Sequence, residues 1–181
     1  MKKILIVLLH LFCILSAHAA ADTMKTKIEQ AINTKGSLIK QEVFSLENIA
    51  AFRLDPIKIT NLEQFSITSG LKVVYKAQVG KELRTLNNYI DIEEIDGILT
   101  TLDYMKTILR SKVTPGSYSE IKYITKSGFE LLLFTVLNDK NKLDWNFSIQ
   151  PNIEKEGVFL ELQQEDIARL KKLFLQAKEK L

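Results

Sequence analysis

Twice along this chain, a stretch in which apolar residues alternate with polar ones gives way to one in which they recur every third and fourth position. A period of two belongs to a strand with one buried face, and a period between three and four to a helix with one buried stripe. The first set of strands is carried by Ile57-Lys58-Ile59, Phe65-Ser66-Ile67-Thr68, Leu71 to Val79 and Asn88 to Ile92. The helix that follows has Ile95, Ile98, Leu99, Leu102, Met105, Ile108 and Leu109 on one side. Asp91 and Glu94 stand at capping-box spacing at its start, with Glu93 and Asp96 at the positive end of its dipole. Thr114-Pro115-Gly116-Ser117 stops it. In the second set, Ser119 to Lys126, Phe129 to Leu137, Asp144 to Ile149 and Gly157 to Leu162 read as strands. Ile167, Leu170, Leu173, Phe174, Ala177 and Leu181 then form the buried side of a closing helix.

These patterns predict an α+β fold, with antiparallel sheets packed against two main helices. Ser69-Gly70-Leu71-Lys72-Val73-Val74 matches Ser127-Gly128-Phe129-Glu130-Leu131-Leu132 in character, and Tyr89-Ile90-Asp91-Ile92 matches Phe159-Leu160-Glu161-Leu162. The helices agree at Ile95 and Ile167, Ile98 and Leu170, Leu102 and Phe174, Leu109 and Leu181. The halves therefore read as a tandem duplication of a meander-plus-helix unit (ββββα-like), covering 57–112 and 117–181 of one domain that spans 37–181. Each Ser-Gly pair reads as a turn. Upstream, Leu38-Ile39, Val43-Phe44 and Phe52-Arg53-Leu54 are short apolar clusters, which Asp55-Pro56 is expected to close. Residues 22–36 are a polar arm or a short helix, with Ile28, Ala31 and Ile32 at helical spacing.

The N-terminus reads as a signal peptide over 1–21. Met1-Lys2-Lys3 is basic, Ile4 to Leu15 is apolar, and Ser16-Ala17-His18-Ala19-Ala20-Ala21 offers cleavage after Ala19 or Ala21. The apolar run falls short of the roughly 20 residues that span a bilayer, and no later segment approaches that length. The expected protein is exported, periplasmic or secreted, without a transmembrane span. Leu11 and Phe12 before Cys13 are too bulky for a lipid-attachment signal.

Cleavage changes the available chemistry. His10, His18 and Cys13 leave with the leader, and the mature chain retains neither residue type. Serine or cysteine nucleophiles activated by histidine, disulfides, and zinc sites built from sulfur and imidazole are then excluded. No metal site or cofactor is expected, and no Gly-rich phosphate loop occurs. Asp91, Glu93, Glu94 and Asp96 form the densest acidic cluster, but Ile95 occupies a position that a calcium loop would need for a ligand. The cluster reads instead as a capped helix start. Asn138 to Lys142 with Asp144 reads as a polar hairpin turn.

The residues thus point to a non-catalytic binding or interaction domain for an unspecified ligand or protein partner. Its candidate ligand-facing aromatics are Trp145, Phe147, Tyr118 and Tyr123, with Trp145 and Phe147 on one side of their strand. A hydrolase using carboxylates alone is the enzyme alternative, since it needs only two acids at a suitable separation. The order of strands then helix, repeated, with Gly157 to Leu162 running into a helix, resembles the PC4 and Whirly single-stranded-nucleic-acid-binding folds. That resemblance implies a sheet that binds single strands. Export and a charge of +3, near +1 without Lys2 and Lys3, weigh against a nucleic-acid partner.

Overall fold

The computed structural model describes residues 25–49, 52–111, 115–153 and 159–181. The expected signal peptide, with its cleavage sites and His10, Cys13 and His18, lies outside the described residues.

The polar stretch after the leader contains a helix, α1 (Lys27–Asn33). Thr26 caps it: the Thr26 hydroxyl accepts from the Glu29 amide at 3.1 Å, and the Glu29 carboxylate accepts from the Thr26 amide at 2.9 Å. Five strands then build an antiparallel sheet A: β1 (Ile39–Val43), β2 (Asn48–Ile49), β3 (Phe52–Asn61), β4 (Ser66–Val79) and β5 (Glu82–Asp91). Strands β1 and β2 share one edge of β3, which pairs through β4 to β5.

Asp55-Pro56 does not end a strand, contrary to expectation; it runs through the middle of β3. Pairing with β2 stops at Arg53 and pairing with β1 starts at Ile57, so Pro56 faces the gap between them. Its carbonyl accepts from the Phe44 amide at 2.9 Å, and the N–H that proline lacks would have pointed the same way. Ser69-Gly70 is likewise no turn but lies inside β4. A Cβ on Gly70 would fall 2.4 Å from the Ile90 carbonyl oxygen and 3.0 Å from Ile28 Cγ1, so the glycine lets α1 approach the sheet. The reversal falls instead at Gly80, whose φ is +63°.

Sheet B is a four-stranded antiparallel meander of β6 (Glu120–Ile124), β7 (Glu130–Leu137), β8 (Leu143–Gln150) and β9 (Leu160–Leu162). Here Ser127-Gly128 does turn the chain, at φ +77° for the glycine. The two matched Ser-Gly pairs therefore occupy different backbone settings, and β5 has 10 residues where β9 has 3. Both halves keep the order of strands then helix, while duplication stays an expectation drawn from the sequence.

A 3-10 turn over Ile92–Glu94 leads into α2 (Ile95–Ser111), and α3 (Asp166–Glu179) closes the chain. The two helices run antiparallel, with Lys171 2.6 Å from Asp103 and Lys178 2.6 Å from Asp96. One core joins both halves: Leu54, Val73 and Ile90 of sheet A, Phe129, Leu131, Phe147 and Ile149 of sheet B and its entry, and Ile98, Leu102, Leu170 and Phe174 of the helices. A second, small cluster of Ile28, Ile57 and Ile59 seats α1 on the opposite face of sheet A. Among the described residues no helix is long and apolar enough to cross a membrane.

Candidate binding face

Strand β7 reads Glu-Leu-Leu-Leu-Phe-Thr-Val-Leu, apolar on both of its faces. Leu131, Leu133 and Thr135 point inward and are buried, at 1% exposure or less. Leu132, Phe134 and Val136 point outward, and none of them belongs to the core or packs against it. The register extends this outer row across the sheet. Lys122 and Ser148 lie opposite Leu132; Glu120 and Asn146 lie opposite Phe134; Ile124 and Gln150 lie opposite Glu130. Phe159, 46% exposed, brings its ring to 5.9 Å from that of Phe134 at an interplanar angle of 66°. Such an edge-to-face pair adds about 0.5–1.5 kcal/mol beyond area burial and fixes both rings in place. The result is an apolar stripe in which Leu132, Phe134 and Val136 are partly buried and Ile124 and Phe159 are exposed.

The rim of this stripe is acidic. Among the described strand residues, Glu120, Asp144, Glu161 and the buried Glu130 share the outer face with one base, Lys122. Lys122 lies 3.6 Å from Glu120, which also accepts from the Tyr118 hydroxyl. The Tyr118 hydroxyl foremost, together with Lys122, holds the Glu120 carboxyl below its ordinary range. Glu130 is pushed the other way: burial raises its carboxyl, against a partly offsetting pull from Lys122. Ser148, fully buried within the stripe, has a hydroxyl with no hydrogen-bond partner among the described residues.

Of the aromatics singled out from the sequence, three lie on the inner side and Tyr118 stands at the rim beside Glu120. Phe147 is 1% exposed and forms part of the core. Trp145 does share its side of β8, as the alternation implied, but that side is the inner one, and Trp145 packs against the core. Tyr123 also packs there, with its hydroxyl 3.5 Å from the Glu94 carbonyl oxygen. Of the four, Tyr118 alone is largely exposed, at 62%. Among the described residues, the aromatics within the stripe itself are Phe134 and Phe159. The signal for them was present in the unbroken apolar run of β7, because a strand apolar on both faces is one that needs two covers.

The acidic cluster at the start of α2 has partners for every member. Asp91, 1% exposed, accepts from the Lys27 amide at 3.1 Å and the Ile28 amide at 3.4 Å, with Lys126 Nζ at 3.7 Å. Glu94 accepts from the Asp91 amide at 3.2 Å and the Lys126 amide at 2.8 Å. Glu93 pairs with Lys27, and Asp96 with Lys178. The polar hairpin is closed on itself as well, since Asn138 accepts from the amides of Lys140 and Lys142 and donates to Asp144 at 2.8 Å. Among the described residues, no group of three or more His, Cys, Asp or Glu could hold a metal ion.

No protein-family model matches the chain, and no curated protein matches it in sequence.

Proposed function

We propose that the protein is an exported, non-catalytic binding domain whose outer face of sheet B receives a protein partner, through a segment apolar in the middle and basic at its flanks. The observation that carries this reading is the two-sided apolar character of β7, with one side spent on the core and the other partly exposed outside it. An exposed apolar patch with a polar rim is the ordinary form of a protein-binding surface. The rim selects the partner's charge. Among the described strand residues of this face, four carboxylates against one lysine repel phosphate, which disfavours nucleic acid and favours lysine or arginine.

A helical peptide of leucine and lysine, amphipathic by design, is a direct probe. Titrated into the isotope-labelled protein, it should shift the amides of Leu132, Phe134 and Val136 to saturation. Replacing Phe134 and Phe159 together by Ser should weaken it at least tenfold, about 1.4 kcal/mol. The same peptide with glutamate in place of lysine should not bind. Equal binding by both peptides, or binding untouched by the double substitution, would contradict the proposal.

A further inference from the structure

The outer face of sheet A is covered by α1 at one end only. At the other end lies a cleft of about 390 Å3, lined by Asn48, Arg53, Val74, Lys76 and Thr85 with Phe52 beside them. We propose that this cleft binds a small organic anion, a carboxylate bearing a short apolar tail. The proposal is independent of the sheet B face.

Strand register places the groups. Arg53 lies opposite both Asn48 and Val74, Lys76 opposite Thr85, and Lys72 opposite Asp55. On this face β3 and β4 therefore carry three cations, Arg53, Lys72 and Lys76, against one acid, Asp55. Asp55 is 1% exposed, and it grips the guanidinium twice: Arg53 Nε donates to Oδ1 at 2.7 Å and Nη2 to Oδ2 at 2.8 Å. A buried carboxylate thus pins Arg53 in one orientation and leaves Nη1 outside the pair. Pinning removes much of the side-chain entropy that ordering a free arginine would otherwise cost on binding. Lys76, exposed at the cleft wall, supplies a second positive charge. Asn48 and Thr85 add a side-chain amide and a hydroxyl.

Two features limit the ligand. The volume sits at the low end of the roughly 300–1,000 Å3 typical of small-molecule sites. Val74, directly opposite Arg53 and two residues before Lys76, also places apolar surface between the cations, which a bare inorganic anion would leave unfilled.

Three probes separate the possibilities: octanoate, octylamine and inorganic phosphate, each titrated against the labelled protein with amide shifts as readout. Octanoate should saturate at Val74, Lys76 and Thr85. Lys76→Glu, a change at an exposed position, should weaken it at least tenfold, while Lys172→Glu on α3 should leave it unchanged. Octylamine binding as well as octanoate would overturn the charge assignment. Phosphate binding as well as octanoate would overturn the apolar tail. Octanoate shifts confined to the sheet B stripe, or no saturable shift at the cleft, would overturn the site itself.

Discussion

Gly97 stands in the first turn of α2, where glycine costs a helix about 1 kcal/mol relative to alanine. Packing explains the choice, because a Cβ there would lie 2.4 Å from the Tyr123 hydroxyl and 2.9 Å from Cζ of the same ring. Gly97→Ala should therefore destabilise the fold by about 1–2 kcal/mol despite its gain in helix propensity, read from urea unfolding. Glu130 provides the pH-dependent counterpart. Burial raises its carboxyl above the ordinary range, so the folded state holds this proton more tightly than the unfolded chain does. Its stabilising effect is complete below the ordinary carboxylate range and is lost as pH rises through the raised folded value. Glu130→Gln should thus raise the unfolding midpoint at neutral pH and remove that part of the decline, checked by melts across the acidic range. At this scale the sequence was half legible. The alternation of Trp145 and Phe147 told that they share a side, but period two cannot say which side is the inner one. That was decided by Phe147 facing Leu133 and Leu162 in the core.

Among the elements, α1 shows how a short helix can hold its place by contacts far along the chain. Seven residues are too few for stability in isolation. Ile28 supplies the apolar seat and buried Asp91 the polar one, by accepting from the first two amides of the helix. Asp91→Ala should cost about 2–3 kcal/mol, leave Lys126 without its buried partner, and speed amide exchange over Lys27–Asn33 far more than over α2. Equal exchange in both helices would contradict this docking role. The best-marked elements in the sequence, α2 and α3, kept their amphipathic faces in the structure because those faces supply the shared core. The β4–β5 hairpin was the least legible. Glu82 to Thr85 is exposed throughout, so no apolar alternation announces that part of β5. Ser69-Gly70 looked like a turn because Gly-containing pairs usually mark one; here the glycine answers to close approach by Ile90 and Ile28.

For the molecule as a whole, the α+β class followed from the switch of period, since the switch fixes which segments are strands and which helices. The joining of two sheets into one core was not legible, because it depends on contacts between the halves. Asn88, 3% exposed on β5, donates to the carbonyls of Ser127 and Pro151 at 2.9 and 2.7 Å and so ties sheet A to the loops of sheet B. The exposed pairs Lys171–Asp103 and Lys178–Asp96 join α2 to α3 but contribute no more than about 1 kcal/mol each. With the inner faces of both sheets consumed by the core, the proposed binding is assigned to the outer ones, the partner to the stripe on sheet B. In-cell photo-crosslinking from a benzophenone side chain tests this most directly, placed either at Ile124 beside the stripe or at Leu175 on α3, both 43% exposed. The account predicts a discrete adduct from position 124 that is lost on Phe134→Ser, and none from position 175. Equal adducts from both positions, or an adduct from 124 indifferent to Phe134→Ser, would contradict it.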